Sequence, residues 1–147
     1  MVKKLKVFYK FVAIVCIIFF LISCSNKKLI EECNKLKGED LSYCFIELGQ
    51  KTKDPSICDS YKPRGIVDVT KDYCYSVIAT LKQDEKICEK ISKEFGYKDA
   101  CVESVAKAKN DISICDKSSE DGKLSCYVAI AEKNKDLEIC KSIERGS

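Results

Sequence analysis

Cysteine is the residue in this chain with the most chemistry to offer. There are 11 in 147 residues, against no histidine and no tryptophan. Closely spaced thiols hold zinc or iron–sulfur clusters, and a C-x-x-C pair exchanges disulfides. Neither pattern occurs here. From Cys33 onward the tightest spacing, Cys33 to Cys44 and Cys115 to Cys126, is 11 positions. The missing histidine removes the usual general base at neutral pH and the commonest metal ligand. No Gly-rich phosphate loop, nucleophile elbow or paired-carboxylate motif is present. The reading is no metal, no cofactor and no enzyme. What remains is the covalent chemistry of the disulfide, which regularly placed cysteines in an exported chain imply.

The spacing is a repeat. Cys44–Cys58, Cys74–Cys88, Cys101–Cys115 and Cys126–Cys140 are each 14 positions apart. In each copy an Asp lies four residues before the second cysteine (Asp54, Asp84, Asp111, Asp136) and an Ile directly before it (Ile57, Ile87, Ile114, Ile139). Each first cysteine is followed at four residues by Leu48, Ile78, Val105 or Ile130, and at five by Gly49, Ala79, Ala106 or Ala131. Four matching registers establish an internal repeat of 25–30 residues, in the range of helical arrays. Cys33 joins the Asp-x-x-Ile class through Leu36, the aliphatic residue three later, as Ile91 follows Cys88 and Ile143 follows Cys140.

The elements that position these cysteines read as helices. Cys74, Tyr75, Ile78 and Ala79 fall on one helical face. Asp84 then has the place of an N-cap for a second, shorter helix carrying Ile87, Cys88 and Ile91. The four repeated aspartates could be imagined as calcium ligands, but each heads a helix and capping is the simpler role. The small residues allow close helix approach. Gly38, Gly96 and Gly122 fall between segments. Strand signals are confined to Ile66-Val67-Asp68-Val69. The prediction is an all-α fold of about nine short helices between residues 28 and 144, forming a solenoid-like array of about four and a half disulfide-stapled hairpins.

Two connectivities are self-consistent. One joins each Asp-x-x-Ile cysteine to the next cysteine: Cys33–Cys44, Cys58–Cys74, Cys88–Cys101 and Cys115–Cys126, with Cys140 unpaired. The other joins the 14-spaced pairs and leaves Cys33. Geometry favours the first. Cys74 lies about 12 Å above the turn that follows its helix and Cys88 only about 6 Å beyond it, whereas a disulfide needs α-carbons within about 7 Å. The 14-residue spacing is invariant, as a rigid helix requires, while the other varies over 11, 16, 13 and 11, as clamped loops allow. Cys140 is then either a buried remnant of a truncated repeat or a thiol available to another molecule.

The N-terminus is of a different kind. Lys3, Lys4, Lys6 and Lys10 precede an uncharged apolar run, Phe11 to Ile22, too short to span a bilayer. The run ends Leu21-Ile22-Ser23-Cys24, which resembles the lipobox of prokaryotic lipoproteins. The resemblance covers residues 1–24. It implies a cleaved signal peptide over 1–23, a diacylglycerol thioether on Cys24, a short tether over 24–28 and a cysteine-rich helical domain over 29–147. It also implies a membrane surface as the first partner, with the domain on the extracytoplasmic side of the cell membrane or outer membrane. The repeat itself is only loosely similar to disulfide-linked helical-hairpin proteins related to tetratricopeptide repeats. It lacks their Trp and Leu-Gly-x-x-Tyr pattern, so nothing is carried over from them.

The formal charge of +3 comes from the leader, because without its four lysines the 26 Lys and Arg fall just below the 23 acids. No electrostatic case for nucleic acid remains. Helical arrays present extended surfaces and bind rather than catalyse. The expected function is a membrane-anchored binding or scaffolding module whose partner is a protein or envelope polymer. An inhibitor or immunity-type lipoprotein, or a passive envelope component, are the alternatives. The longest connection, Asp59 to Lys71, departs from the repeat. Either it folds back on the stack, or it carries partner contacts, for which Tyr61, Arg64, Ile66 and Val67 are the candidates.

Overall fold

A computed structural model of the chain describes residues 26–62, 70–92, 96–136 and 138–139. Among these, every regular element is helical. In chain order they are α1 (26–33), α2 (Gly38–Thr52), α3 (Ser56–Ser60), α4 (Thr70–Lys82), a 3-10 helix (Glu85–Lys90), α5 (Tyr97–Lys109), a second 3-10 helix (Ile112–Lys117) and α6 (Glu120–Asn134). The all-helical expectation holds among the described residues, with one refinement of helix type. Two of the Asp-x-x-Ile segments are 3-10 helices. In these two the tighter i to i+3 pattern replaces the α-type bonds, while the equivalent five-residue α3 is α-helical. Ile87 N donates to Asp84 O at 3.2 Å, and Ile91 N to Cys88 O at 3.1 Å.

The turn between the long and short helices is a single device used four times. Each long helix ends in a residue in the left-handed region: Lys53 (φ 53°), Gln83 (52°), Asn110 (57°) and Lys135 (54°). In the last three copies the next amide, that of the aspartate, bonds back to the carbonyl of the small residue: Asp84 to Ala79 (3.0 Å), Asp111 to Ala106 (3.1 Å) and Asp136 to Ala131 (3.0 Å). This is a Schellman closure. In the first copy Lys53 N bonds Gly49 O at 2.8 Å instead. The same aspartates then open the next helix. Asp54, Asp84, Asp111 and Asp136 accept from the amides of Ser56 (3.0 Å), Lys86 (3.1 Å), Ser113 (3.1 Å) and Glu138 (2.9 Å). One residue type thus ends one helix with its amide and starts the next with its carboxylate.

On each long helix the cysteine and the residue four later face the interior, with the small residue beside them. α2 packs on α4, α4 on α5 and α5 on α6, and the 3-10 helices pack beside the last two of these contacts. The larger core cluster runs from Cys58 to Ile130; a smaller one joins Cys33, Leu41, Phe45, Leu48, Ile57 and Tyr61. Among the described residues no polar or charged side chain is buried.

Gly122 also corrects its expectation, since it lies within the first turn of α6 rather than between segments. The reason is close approach. A Cβ there would stand 2.5 Å from Cγ of Asp99 on α5. The Asp99 carboxylate accepts from the amide of Ser119 (2.9 Å) and from its hydroxyl, and Ser119 Oγ in turn accepts from Gly122 N (3.2 Å), capping α6. Asp72 on α4 holds Ser92 in the same way, at 3.2 Å and 2.7 Å.

Candidate functional site

Four disulfides lie inside this stack: Cys33–Cys44 and Cys115–Cys126 with Cα separations of 5.6 Å, and Cys58–Cys74 and Cys88–Cys101 with separations of 5.8 Å. Each joins an Asp-x-x-Ile-type cysteine, or Cys33, to the next cysteine in the chain. Every bridged cysteine except the half-buried Cys44 is buried, so the bridges are structural and the last three are out of reach of solvent. Cys24 and Cys140 lie outside the described residues. Among the described residues no group of His, Cys, Asp or Glu could hold a metal ion, and no helix is long and apolar enough to cross a membrane.

Of the loop candidates, Arg64, Ile66 and Val67 also lie outside the described residues. Tyr61 is described and does not serve as a surface contact. It is 4% exposed, packs edge-on against Phe45 with ring centroids 5.4 Å apart, and has its hydroxyl 3.4 Å from that of Ser42. It stands three residues after Cys58, as buried Ile91 stands three after Cys88, and that position belongs to the core.

The base of the 59–71 connection is built of charge. Beside the Cys58–Cys74 bridge, Tyr75 donates its hydroxyl to Asp59, with Lys90 3.1 Å and Lys71 3.8 Å from the same carboxylate. The Tyr75 hydroxyl bond, and after it the Lys90 ammonium, hold Asp59 below the usual carboxylate range. Burial and the Asp59 bond push the Tyr75 phenol upward. Lys90 also sits 5.4 Å over the Tyr75 ring. Asp116 and Tyr127 repeat the carboxylate–phenol pair at 2.7 Å beside the Cys115–Cys126 bridge. A second charged junction centres on Glu85, which takes Lys117 at 2.7 Å and Lys109 at 3.3 Å and ties the first 3-10 helix to the end of α5 and to the second 3-10 helix. Its carboxyl is pulled down to about 2, first by the Lys117 bond. These groups are all engaged with one another and hold the stack together.

What is presented outward is a different set. On α4, Tyr73, Val77 and Leu81 recur every four residues and form one stripe, with Tyr73 53% and Leu81 46% exposed. The same positions on α5 are Ala100, Ser104 and Ala108, and on α6 Ser125 and Ala129, all exposed or half-buried. In a chain that is 33% charged, the stripe carries no charge on α4 and α5, while on α6 its third position is the exposed Lys133. No motif marks the stripe, because none of these residues belongs to the repeated signature. It is legible by subtraction on α4 and α5, starting one residue before Cys74 and Cys101, whereas the same positions on α2 are Tyr43, Glu47 and Lys51. A comparison of the chain with protein-family models, curated proteins and solved structures finds no match.

Proposed function

We propose that the chain is a lipid-anchored binding module of the cell envelope. In this reading Cys24 carries the lipid, residues 1–23 are the signal peptide, and residues 29–147 form a solenoid-like row of disulfide-stapled hairpins on the extracytoplasmic side. The partner is an envelope protein or polymer. The observation that carries the reading is the uncharged outward stripe of Tyr73, Val77 and Leu81 continued by Ala100, Ser104 and Ala108. Charge is depleted and aromatic residues are favoured at the centre of interfaces, and a rigid helical row presents such a surface without an ordering cost on binding. The four buried bridges supply that rigidity.

The test compares the full-length chain with the double variant Tyr73→Glu, Leu81→Glu, both displayed on envelope fractions and cross-linked in place. An envelope protein or polymer held by the parent and lost by the variant, at equal melting temperature, supports the reading. Equal cross-linking by both chains removes the stripe from consideration, and with it the argument for a binding module.

A further inference from the structure

Among the described residues α4, α5 and α6 each pack on the long helix before them, and α2 has no long helix before it. On α4, Cys74 and Ile78 form a seat that α2 fills: a Cβ built on Gly49 lies 3.0 Å from Cδ1 of Ile78 and 3.2 Å from Sγ of Cys74. The same two positions on α2 itself are Cys44 and Leu48. Ahead of α2 the described chain holds only α1, and there Cys44 and Leu48 line a groove of about 190 Å³, with Leu29 and Cys33 on one side and Glu47 and Lys51 along the rim. Leu29 is 41% exposed beside it. Tyr43, one helical turn before Glu47, extends the rim and is also exposed. Leu36 stands three residues after Cys33, the position at which Tyr61 and Ile91 are buried, and is 39% exposed. A partly covered helix seat, closed only by α1, and three large exposed side chains thus belong to the first hairpin.

We propose that this open end of the first hairpin is seated on the phospholipid bilayer, with Leu29, Leu36 and Tyr43 in its interface. The inference rests on the anchoring of Cys24 proposed above. The length of chain selects the bilayer over other apolar surfaces. Asn26, the first residue of α1, is two residues from Cys24, a reach of at most about 7 Å. From Asn26 to Leu29 the helix rises about 4.5 Å. An acylated Cys24 therefore holds the groove against the lipid whatever else the protein meets. The chemistry agrees. Tyrosine and leucine partition into the interface, and Lys27 and Lys28, both exposed at the start of α1, are placed among the headgroups. Glu32, which also lines the groove, is paired with Lys35 at 2.7 Å and so adds little repulsion. The row then stands on its first hairpin and carries the uncharged stripe of α4 and α5 outward from the membrane.

The experiment uses the full-length acylated chain in vesicles of phosphatidylethanolamine and phosphatidylglycerol doped with a phospholipid bearing a diazirine on its acyl chain. After illumination, flotation and digestion, mass spectrometry locates the label. Peptides covering residues 26–51 are expected to carry roughly ten times the label of those covering residues 120–134, whose exposed Leu124 and Val128 are a control for generic apolar labelling. The double variant Leu29→Glu, Leu36→Glu is expected to lose that label while floating as before. Label confined to the Cys24 peptide, or equal on the two regions, in a chain that floats overturns the seating and leaves the anchor standing. A chain that fails to float, with Cys24 unmodified, overturns the anchor and the seating together.

Discussion

Removing one staple from the middle of the row measures what the bridges contribute. Cys88 and Cys101 are 13 positions apart, both are fully buried, and their Cα atoms are 5.8 Å apart. Closing a loop of that size removes about 3 kcal/mol of conformational freedom from the unfolded chain. The double variant Cys88→Ala, Cys101→Ala is therefore expected to lose about 3 kcal/mol, with up to about 1 kcal/mol more from the space left by two sulfurs among Ile87, Val102 and Ile114. Domains of this size have about 5–15 kcal/mol in hand. The variant should thus remain folded and helical at 25 °C, with an unfolding midpoint in urea shifted well to the left. The bridge acts through the unfolded ensemble, so the slope of the transition should not fall. Removing the Cys115–Cys126 bridge as well, an 11-position loop that shares no residue with the first, adds a similar independent loss. The total of about 6 kcal/mol reaches the lower end of that range, and the fourfold variant is expected to unfold at 25 °C. Circular dichroism under non-reducing urea titration reads both. A loss below about 1 kcal/mol for the first variant refutes the idea that bridges rather than core hold the row.

Three further outcomes follow from local geometry. Asp84→Ala removes the acceptor for Lys86 N and is expected to cost about 1 kcal/mol by urea titration, while Asp84→Asn keeps the cap and most of the stability. Gly49→Leu overpacks the contact in which a single added carbon already lies 3.0 Å from Ile78, and is expected to cost roughly 1–3 kcal/mol. Glu85 is depressed to about 2 by Lys117 and Lys109. A depressed carboxylate adds stability that is present above its ordinary range, near 4.5, and is lost as the pH falls toward about 2. Thermal melts should therefore show the parent more stable than Glu85→Gln by about 1 kcal/mol or less at pH 7, with the gap closing between pH 4.5 and 2. A gap that is constant with pH removes the charge argument.

What the sequence displayed and what it hid divide along the range of the interactions. The caps were visible because an aspartate two residues before the amide it accepts is a local arrangement, and four copies of Asp54, Asp84, Asp111 and Asp136 all make it. The order of the bridges was visible because loop lengths and helix rise limit which cysteines can meet. The left-handed residues were not visible. Of Lys53, Gln83, Asn110 and Lys135 only Asn favours that conformation; at the last three the back-bond from the following aspartate and the cap beyond it impose it, and at Lys53 its own amide bond to Gly49 does. Helix type in the Asp-x-x-Ile segments was equally hidden, because six residues with adjacent Ile and Cys buried fit α and 3-10 geometry alike. Tyr61 shows how a local signal can be outvoted. Its place at the mouth of a long connection suggested a contact residue, yet its register, three after Cys58, was that of Ile91, and register decided its burial. The groove beside Cys44 could not be read from the chain at all, since it depends on how far α1 covers α2. Only when α2 is seen packing on Cys74 and Ile78 does the smaller cover that α1 gives Cys44 and Leu48 acquire meaning, and the two-residue distance from Cys24 to α1 is the ground on which we propose a lipid surface there.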